Sequence, residues 1–219
     1  MIVLGIDSST DCLAVALSRD RKITAEKAIS ARQEQASRII ELIDDLLRES
    51  KTERGNIDGL AVAIGPGSFT GLRIGLAVAK GMAFALQKPL IGISTFEIVG
   101  QRLLERYPRF VLTELARKGE YYFCRVDEKT DIVSAIEIVS GRELAGKSGG
   151  WPIGLIGRQP DDWPPTVINP IPLELTAVSA GELAIRGEIL LEAGKSDDAA
   201  SLVPLYLALS QAEVKHGRF

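Results

Sequence analysis

The sequence predicts an α/β protein of two related halves, each a mixed sheet covered by helices. Three observations carry this. Apolar spacing changes along the chain from short runs of strand length to a 3.6-residue period and back. The stretch Asp58–Ile64 (DGLAVAI) is apolar without alternation, as strands buried on both faces of a parallel, helix-covered sheet are. The order meander, helix, strand, helix then occurs twice, more faintly the second time, which reads as duplication.

Each element has its own signal. Ile2–Ile6, Leu13–Ser18 and Ile23–Ile29, separated by polar turns such as Arg21-Lys22, suit an antiparallel meander. Ala36, Ile39, Ile40, Ile43, Leu46 and Leu47 form one helical stripe over residues 33–50, with Ser30 as its candidate cap. Asp58–Ile64 is followed by a helix over 69–87, which Pro89 stops. Leu90–Ile93 is a short strand, and Ser94 or Thr95 caps a helix reaching about Arg106. Beyond Pro108, Phe110–Thr113, Tyr121–Val126 and Ile132–Val139 read as strands. A helical piece at Arg142–Lys147, a strand at Ile153–Ile156 and a helix at Ser179–Ala193 follow. The expected division is a first subdomain at 1–106 and a smaller, more divergent second at 107–219, whose extreme C-terminus is free to pack back on the first.

Composition narrows the function classes. The net charge is −3, so there is no broad electrostatic footprint for nucleic acid. At 219 residues the chain buries a core without disulfide or metal staples. Cys12 and Cys124 lie far apart and are expected as reduced thiols. His216, in the C-terminal tail, is the sole histidine. No HExxH or His-paired metal site follows, and Ser-His-Asp or Cys-His chemistry lacks a well-placed base. Met1–Asp7 lacks the regions of a signal peptide, and Arg73, Lys80 and several glycines interrupt the apolar stretch at 72–86. The expectation is a cytoplasmic protein without metal or membrane contact.

Two stretches carry residue types that hold phosphate. In Gly5-Ile6-Asp7-Ser8-Ser9-Thr10 a strand leads into a carboxylate and three hydroxyls. Such a turn can hold phosphate oxygens with N–H groups and hydroxyls while Asp7 reaches a metal ion or water. An ordinary Asx/Ser turn has the same composition. In Gly65-Pro66-Gly67-Ser68-Phe69-Thr70-Gly71 a Gly-rich turn opens a helix, as a phosphate loop does. It is not a Walker A loop, because no Lys-Ser/Thr follows the last glycine. Nor is it GxGxxG, because Thr70 stands where the third glycine belongs. Gly65, Gly67, Ser68 and Thr70 therefore suit either generic anion binding or a tight strand-to-helix turn.

The following helix carries a different signal. Gly71, Gly75, Ala79 and Ala83 recur every four residues and make one smooth face. A helical glycine costs about 1 kcal/mol relative to alanine, so two on one face call for close approach of a neighbour. Leu72, Ile74, Leu76, Val78, Met82 and Leu86 spread over the other directions. A helix apolar all round must be covered all round. The sheet, helix 33–50 and a partner chain can do so, and purely internal packing is the alternative. Tyr121, Tyr122 and Phe123 fit strand alternation better than base stacking, and Arg102, Arg106 and Arg109 fit a solvated face.

MIVLGIDSST at the N-terminus and GLAVAIGPGSFTGLRIGLAVAKGMAFA at 59–85 resemble the TsaB family, glycoprotease-like members of the actin/sugar-kinase/Hsp70 superfamily. PLYL at 204–207 resembles the family's C-terminal end, and the clear match covers about residues 1–98. The resemblance implies a duplicated actin-like fold and a catalytic paralogue, TsaD, as partner, with the P-loop ATPase TsaE. The complex transfers threonylcarbamoyl from threonylcarbamoyl-AMP to N6 of the adenosine 3′ of the tRNA anticodon. The resemblance thus implies a non-catalytic scaffold that meets tRNA indirectly and forms a homodimer when isolated. No intrinsic cofactor is expected, and ATP or ADP only at a partner interface. The catalytic paralogue carries two metal-binding histidines on its first long helix. Here Ala31–Ile40 has none, and Gln35 or Ala36 stands where relatives often carry one. Peptidase chemistry has no ligands to use.

On this reading helices 33–50 and 69–87 form the interface with the paralogue or a second copy. The first contributes Gln35, Ile39, Ile40 and Ile43. The second contributes Gly71, Arg73, Ile74, Gly75, Val78, Ala79 and Met82, with Gly71, Gly75 and Ala79 permitting close approach and Arg73 reaching a partner carboxylate. The alternative is a small ATP-dependent phosphotransferase of the same superfamily. The Asp7–Thr10 turn favours it, and the short chain disfavours it.

Overall fold

A computed structural model describes residues 1–31, 34–130, 132, 135–167 and 169–205. The tail histidine, His216, and the last two residues of the PLYL segment lie outside the described residues. The chain divides into two compact units, Met1–Ile98 with Val178–Pro204, and Val99–Ala177 with Leu205–Phe219.

The first unit is built on a five-stranded sheet. Its strands are β1 (Ile2–Asp7), β2 (Cys12–Arg19), β3 (Lys22–Ser30), β4 (Gly59–Gly65) and β5 (Leu90–Ser94), in the order β3-β2-β1-β4-β5. β1, β2 and β3 form the antiparallel meander, while β4 runs parallel to both β1 and β5. β1 is buried along its whole length, as its central place demands. β3 alternates exposed and half-buried residues, as an edge strand does.

Helices α1 (Gln35–Glu49) and α2 (Phe69–Leu86) cover one face through a core that includes Ile6, Val15, Ile39, Ile43, Leu76 and Ala79. α1 starts at Gln35, and Glu34 takes the cap position without a side-chain bond. Ser30 is not the cap. It remains paired with Cys12 in the β2–β3 ladder, which holds its backbone extended. α2 is capped by Ser68, whose Oγ accepts from Gly71 N–H at 3.2 Å. It ends on Gln87 in the left-handed region, two residues before Pro89.

Helix α5 (Ala180–Glu192) covers the opposite face of this same sheet. Residues 178–204 thus belong with the first sheet, although sequence order alone placed them with the second half. Small residues make the seat. A β-carbon on Gly5 would stand 2.5 Å from Ala180 O, and one on Gly187 would stand 2.4 Å from Ala61 Cβ. Ser179 caps α5, and Glu26 of β3 accepts from Gly181 N–H at 3.0 Å. Beyond α5, Asp197 closes the open edge of β5. Its N–H donates to Leu90 O at 2.8 Å, and its carboxylate accepts from Gly92 N–H at 2.7 Å.

The second unit has a four-stranded sheet of β6 (Arg109–Arg117), β7 (Glu120–Asp127), β8 (Glu137–Ser140) and β9 (Ile153–Ile156), in the order β8-β7-β6-β9. β6–β7 and β7–β8 are antiparallel and β6–β9 is parallel. This repeats the β3-β2-β1-β4 arrangement of the first unit, so the duplication is explicit in the strand order. β8 is shorter than the expected 132–139, and residues 131, 133 and 134 lie outside the described residues. Val111, Tyr121, Phe123 and Val139 build its core with Leu144 of the short helix α4 (Leu144–Ser148). Helix α3 (Thr95–Leu104) crosses the division between the units. Cys12 is exposed and Cys124 buried, and neither is in a disulfide.

Candidate docking site

The Asp7–Thr10 turn lies at the carboxyl end of β1, where open α/β sheets hold ligands. Here the polar groups of Asp7, Ser8 and Ser9 are turned inward, while the half-buried Thr10 accepts from Cys12 N–H at 3.2 Å through its Oγ1. Asp7 is 1% exposed, and its Oδ1 accepts from Ser9 N–H at 3.0 Å. Burial pushes the Asp7 carboxyl above the ordinary carboxylate range, and the Ser9 hydrogen bonds only partly offset this. Ser8 Oγ donates to Gly71 O at 2.8 Å. Gln35 Nε2 donates to Thr10 O at 2.7 Å. The backbone of Ser9 accepts from Ser68 N–H at 2.6 Å. Ser9 Oγ is buried without a hydrogen-bond partner. Among the described residues there is no cluster of three His, Cys, Asp or Glu side chains able to hold a metal ion.

The Gly-rich turn packs onto the same place. A β-carbon on Gly67 would stand 2.6 Å from Ser9 O, and Thr95 Oγ1 donates to Pro66 O at 2.7 Å. Gly65 has φ +101°, and a β-carbon there would stand 2.8 Å from Leu72 Cδ1. Of the turn residues, Ser68 caps α2 and Thr70 is exposed. The tight-turn role of these glycines therefore has a visible cause in close packing.

The smooth face of α2 also points inward, which corrects part of the expected interface. A β-carbon on Gly71 would stand 2.0 Å from Ser8 O, and one on Gly75 would stand 2.2 Å from Ser8 Oγ. Ala79 is fully buried in the chain's own core. Ile39 and Ile43 of α1 and the amide of Gln35 are buried as well. These residues seat the helices on the first sheet. Ile74, Val78 and Met82 are half-buried, Ile40 is 50% exposed and Arg73 is exposed. The Arg73 guanidinium lies 3.8 Å above the Phe69 ring.

Sequence reasoning missed the face that does remain open. Ala77, Gly81 and Ala85 recur at the same four-residue spacing and are all exposed. A β-carbon on Gly81 would meet nothing within 4 Å. Phe84 beside them is 77% exposed. Between α1 and α2 runs a groove of about 370 Å³, lined by Ile40, Ile43, Val78, Gly81, Met82, Ala85 and Leu86. The Asp44–Arg54 ion pair, at 2.6 Å, sits on its lining. Only 33% of α2 is buried although its mean hydropathy is 1.4. Contiguous exposed apolar surface is the kind of surface that protein, membrane and ligand contacts use. The second small-residue stripe was legible in the sequence, but nothing local says which stripe faces the sheet.

Fold and site together define a duplicated α/β protein with an actin-like fold, an inward-packed Asp7–Thr10 turn and an open helix pair. Component A of (R)-2-hydroxyglutaryl-CoA dehydratase from Acidaminococcus fermentans shares the fold, with a TM-score of 0.51 at 9% identity over 89% of this chain and all of that one. YeaZ from Pseudomonas aeruginosa is more similar, with a TM-score of 0.74 at 22% identity over 94% of this chain and 99% of that one. The family model of TsaD, tRNA N6-adenosine threonylcarbamoyltransferase, matches residues 23–146. The TsaB tRNA threonylcarbamoyladenosine biosynthesis protein of Escherichia coli K12 is 35% identical over 162 residues, 69% of each chain. That of Bacillus subtilis is 26% identical over 225 residues, covering 98% of this chain and 97% of its own. The chain belongs to the TsaB family of tRNA threonylcarbamoyladenosine biosynthesis proteins.

Proposed function

We propose that the chain is a non-catalytic docking subunit in tRNA threonylcarbamoyladenosine synthesis. Its α1–α2 groove receives the corresponding helices of a catalytic paralogue of the TsaD kind. The observation that carries this reading is the uncovered apolar groove, with the Ala77-Gly81-Ala85 stripe on its α2 side. Small residues let a helix approach closely, and the apolar lining gains about 25 cal/mol per Å² removed from water. The inward-turned groups at Asp7–Thr10 support a non-catalytic role, because a phosphate site needs donors free to meet the ligand. The same packing weighs against the phosphotransferase reading. TsaE and tRNA join through the complex, ATP or ADP binds only at a partner interface, and the work is done in the cytoplasm.

The test is the mass in solution of the purified chain, alone and mixed with the paralogue from the same genome. A one-to-one complex is expected, with a homodimer of the isolated chain that the paralogue displaces. A monomer indifferent to the paralogue contradicts the proposal. ATP turnover by the isolated chain that Asp7→Ala abolishes would favour the phosphotransferase instead.

A further inference from the structure

Both groove helices are rooted on one turn. From α1, Gln35 Nε2 donates to Thr10 O at 2.7 Å and to Ser8 O at 3.5 Å. From α2, Gly71 O accepts from Ser8 Oγ at 2.8 Å. Gln35 also lies close against α2, because a β-carbon on Gly71 would stand 2.8 Å from its Oε1. The loop entering α2 is fixed to the same turn by Ser68 N–H on Ser9 O at 2.6 Å. Ser8 is 1% exposed and Gln35 is 7% exposed, so neither offers a partner much surface.

We propose that the Asp7–Thr10 turn works as a strut that sets the separation of α1 and α2, with Ser8 and Gln35 as positioning residues for the docking groove. This rests on the docking reading above. The helices leave the turn at Gln35 and Gly71, and the groove residues lie further along them. At 1.5 Å per residue, Ile40 is about 8 Å and Gly81 about 15 Å beyond those roots. A small shift at the roots is therefore carried along both walls of the groove. The polar groups of the turn hold helices here: the Ser8 hydroxyl is given to α2, and the Ser8 and Thr10 carbonyls are given to the Gln35 amide.

Gln35→Met keeps side-chain length and helix propensity and removes the amide donor. Ser8→Ala removes only the hydroxyl. The readouts are the Kd for the catalytic paralogue, taken well below both melting temperatures, and amide spectra of the free chain. Each variant is expected to weaken the complex at least tenfold with an unchanged far-UV spectrum. Gln35→Met is also expected to move the amide signals of Gly81 and Ala85. A lowered Tm with wild-type Kd and unmoved groove signals would make the turn merely structural and overturn the proposal. If one variant does not fold, the other decides. Gly81→Leu separates the two readings. Loss of the complex there, with normal binding by both turn variants, leaves the docking reading standing and sinks the strut. If the wild-type chain binds neither the paralogue nor itself, both fail.

Discussion

Ser8 and Gly75 are in contact that leaves no room for a side chain: a β-carbon on Gly75 would stand 2.2 Å from Ser8 Oγ. Gly71 and Gly75 of α2 thus serve the interior of the first unit. Gly75→Leu is expected to destabilise the free chain by about 3 kcal/mol or more, at or above the upper end of ordinary overpacking, because Ser8 is itself pinned to Gly71. Urea unfolding measures this. An unchanged midpoint contradicts the placement of that face.

Gly81 has the opposite prognosis. Nothing lies within 4 Å of where its β-carbon would be, so Gly81→Leu costs no packing. Replacing a helical glycine favours the helix by up to about 1 kcal/mol. The variant is expected to melt at or above the wild-type temperature while binding the paralogue at least tenfold more weakly. Full binding by this variant takes the Ala77-Gly81-Ala85 stripe out of the interface.

Asp7 gives the fold a pH dependence of unusual sign for a carboxylate. Its folded pKa is raised by burial, so the native state holds the proton more tightly than the unfolded chain does. Its contribution is fully retained below the ordinary value of 3.8 and is lost as pH rises from there towards the raised folded value. In that window the slope from this group approaches about −1.4 kcal/mol per pH unit. Asp7→Asn keeps an acceptor for Ser9 N–H and removes the titration. Relative to wild type, the variant is expected to gain stability as pH rises above 4. A stability difference that is constant between about pH 3.5 and pH 7 contradicts the assignment.

Asp197 predicts a cost at the sheet edge. Its carboxylate accepts from Gly92 N–H at 2.7 Å, part-buried. Asp197→Ala leaves that donor unmet and should cost about 1–2 kcal/mol. Faster hydrogen exchange at Gly92, with little change at β1, should accompany the loss. Equal exchange at both strands argues against a local edge effect.

The strands and helices of the first unit were legible because their signals are local. Of the α1 stripe, Ile39, Ile43, Leu46 and Leu47 are core, as the period implied, while Ala36 and Ile40 are exposed. The destination of α5 was not legible, because periodicity marks a covered face without saying which sheet covers it. Gly5 and Gly187, which seat it, read as ordinary glycines until the two elements meet. Asp197 was invisible for the same reason, since its contact with Gly92 spans 105 residues. At the candidate site the two helices that line the groove were named, but on α2 the stripe expected to be open is the buried one. Gly71-Gly75-Ala79 and Ala77-Gly81-Ala85 have the same spacing and similar size. What decides between them is Ser8, which closes on the first stripe from a distant part of the chain.

The central claim is that the α1–α2 groove is the docking surface. Amide hydrogen exchange of the chain, free and with the catalytic paralogue, tests it most directly. The account predicts new protection concentrated at Ile40–Asp44 and Val78–Leu86, the segments that line the groove. A stable complex that leaves both segments as exchangeable as in the free chain would contradict it.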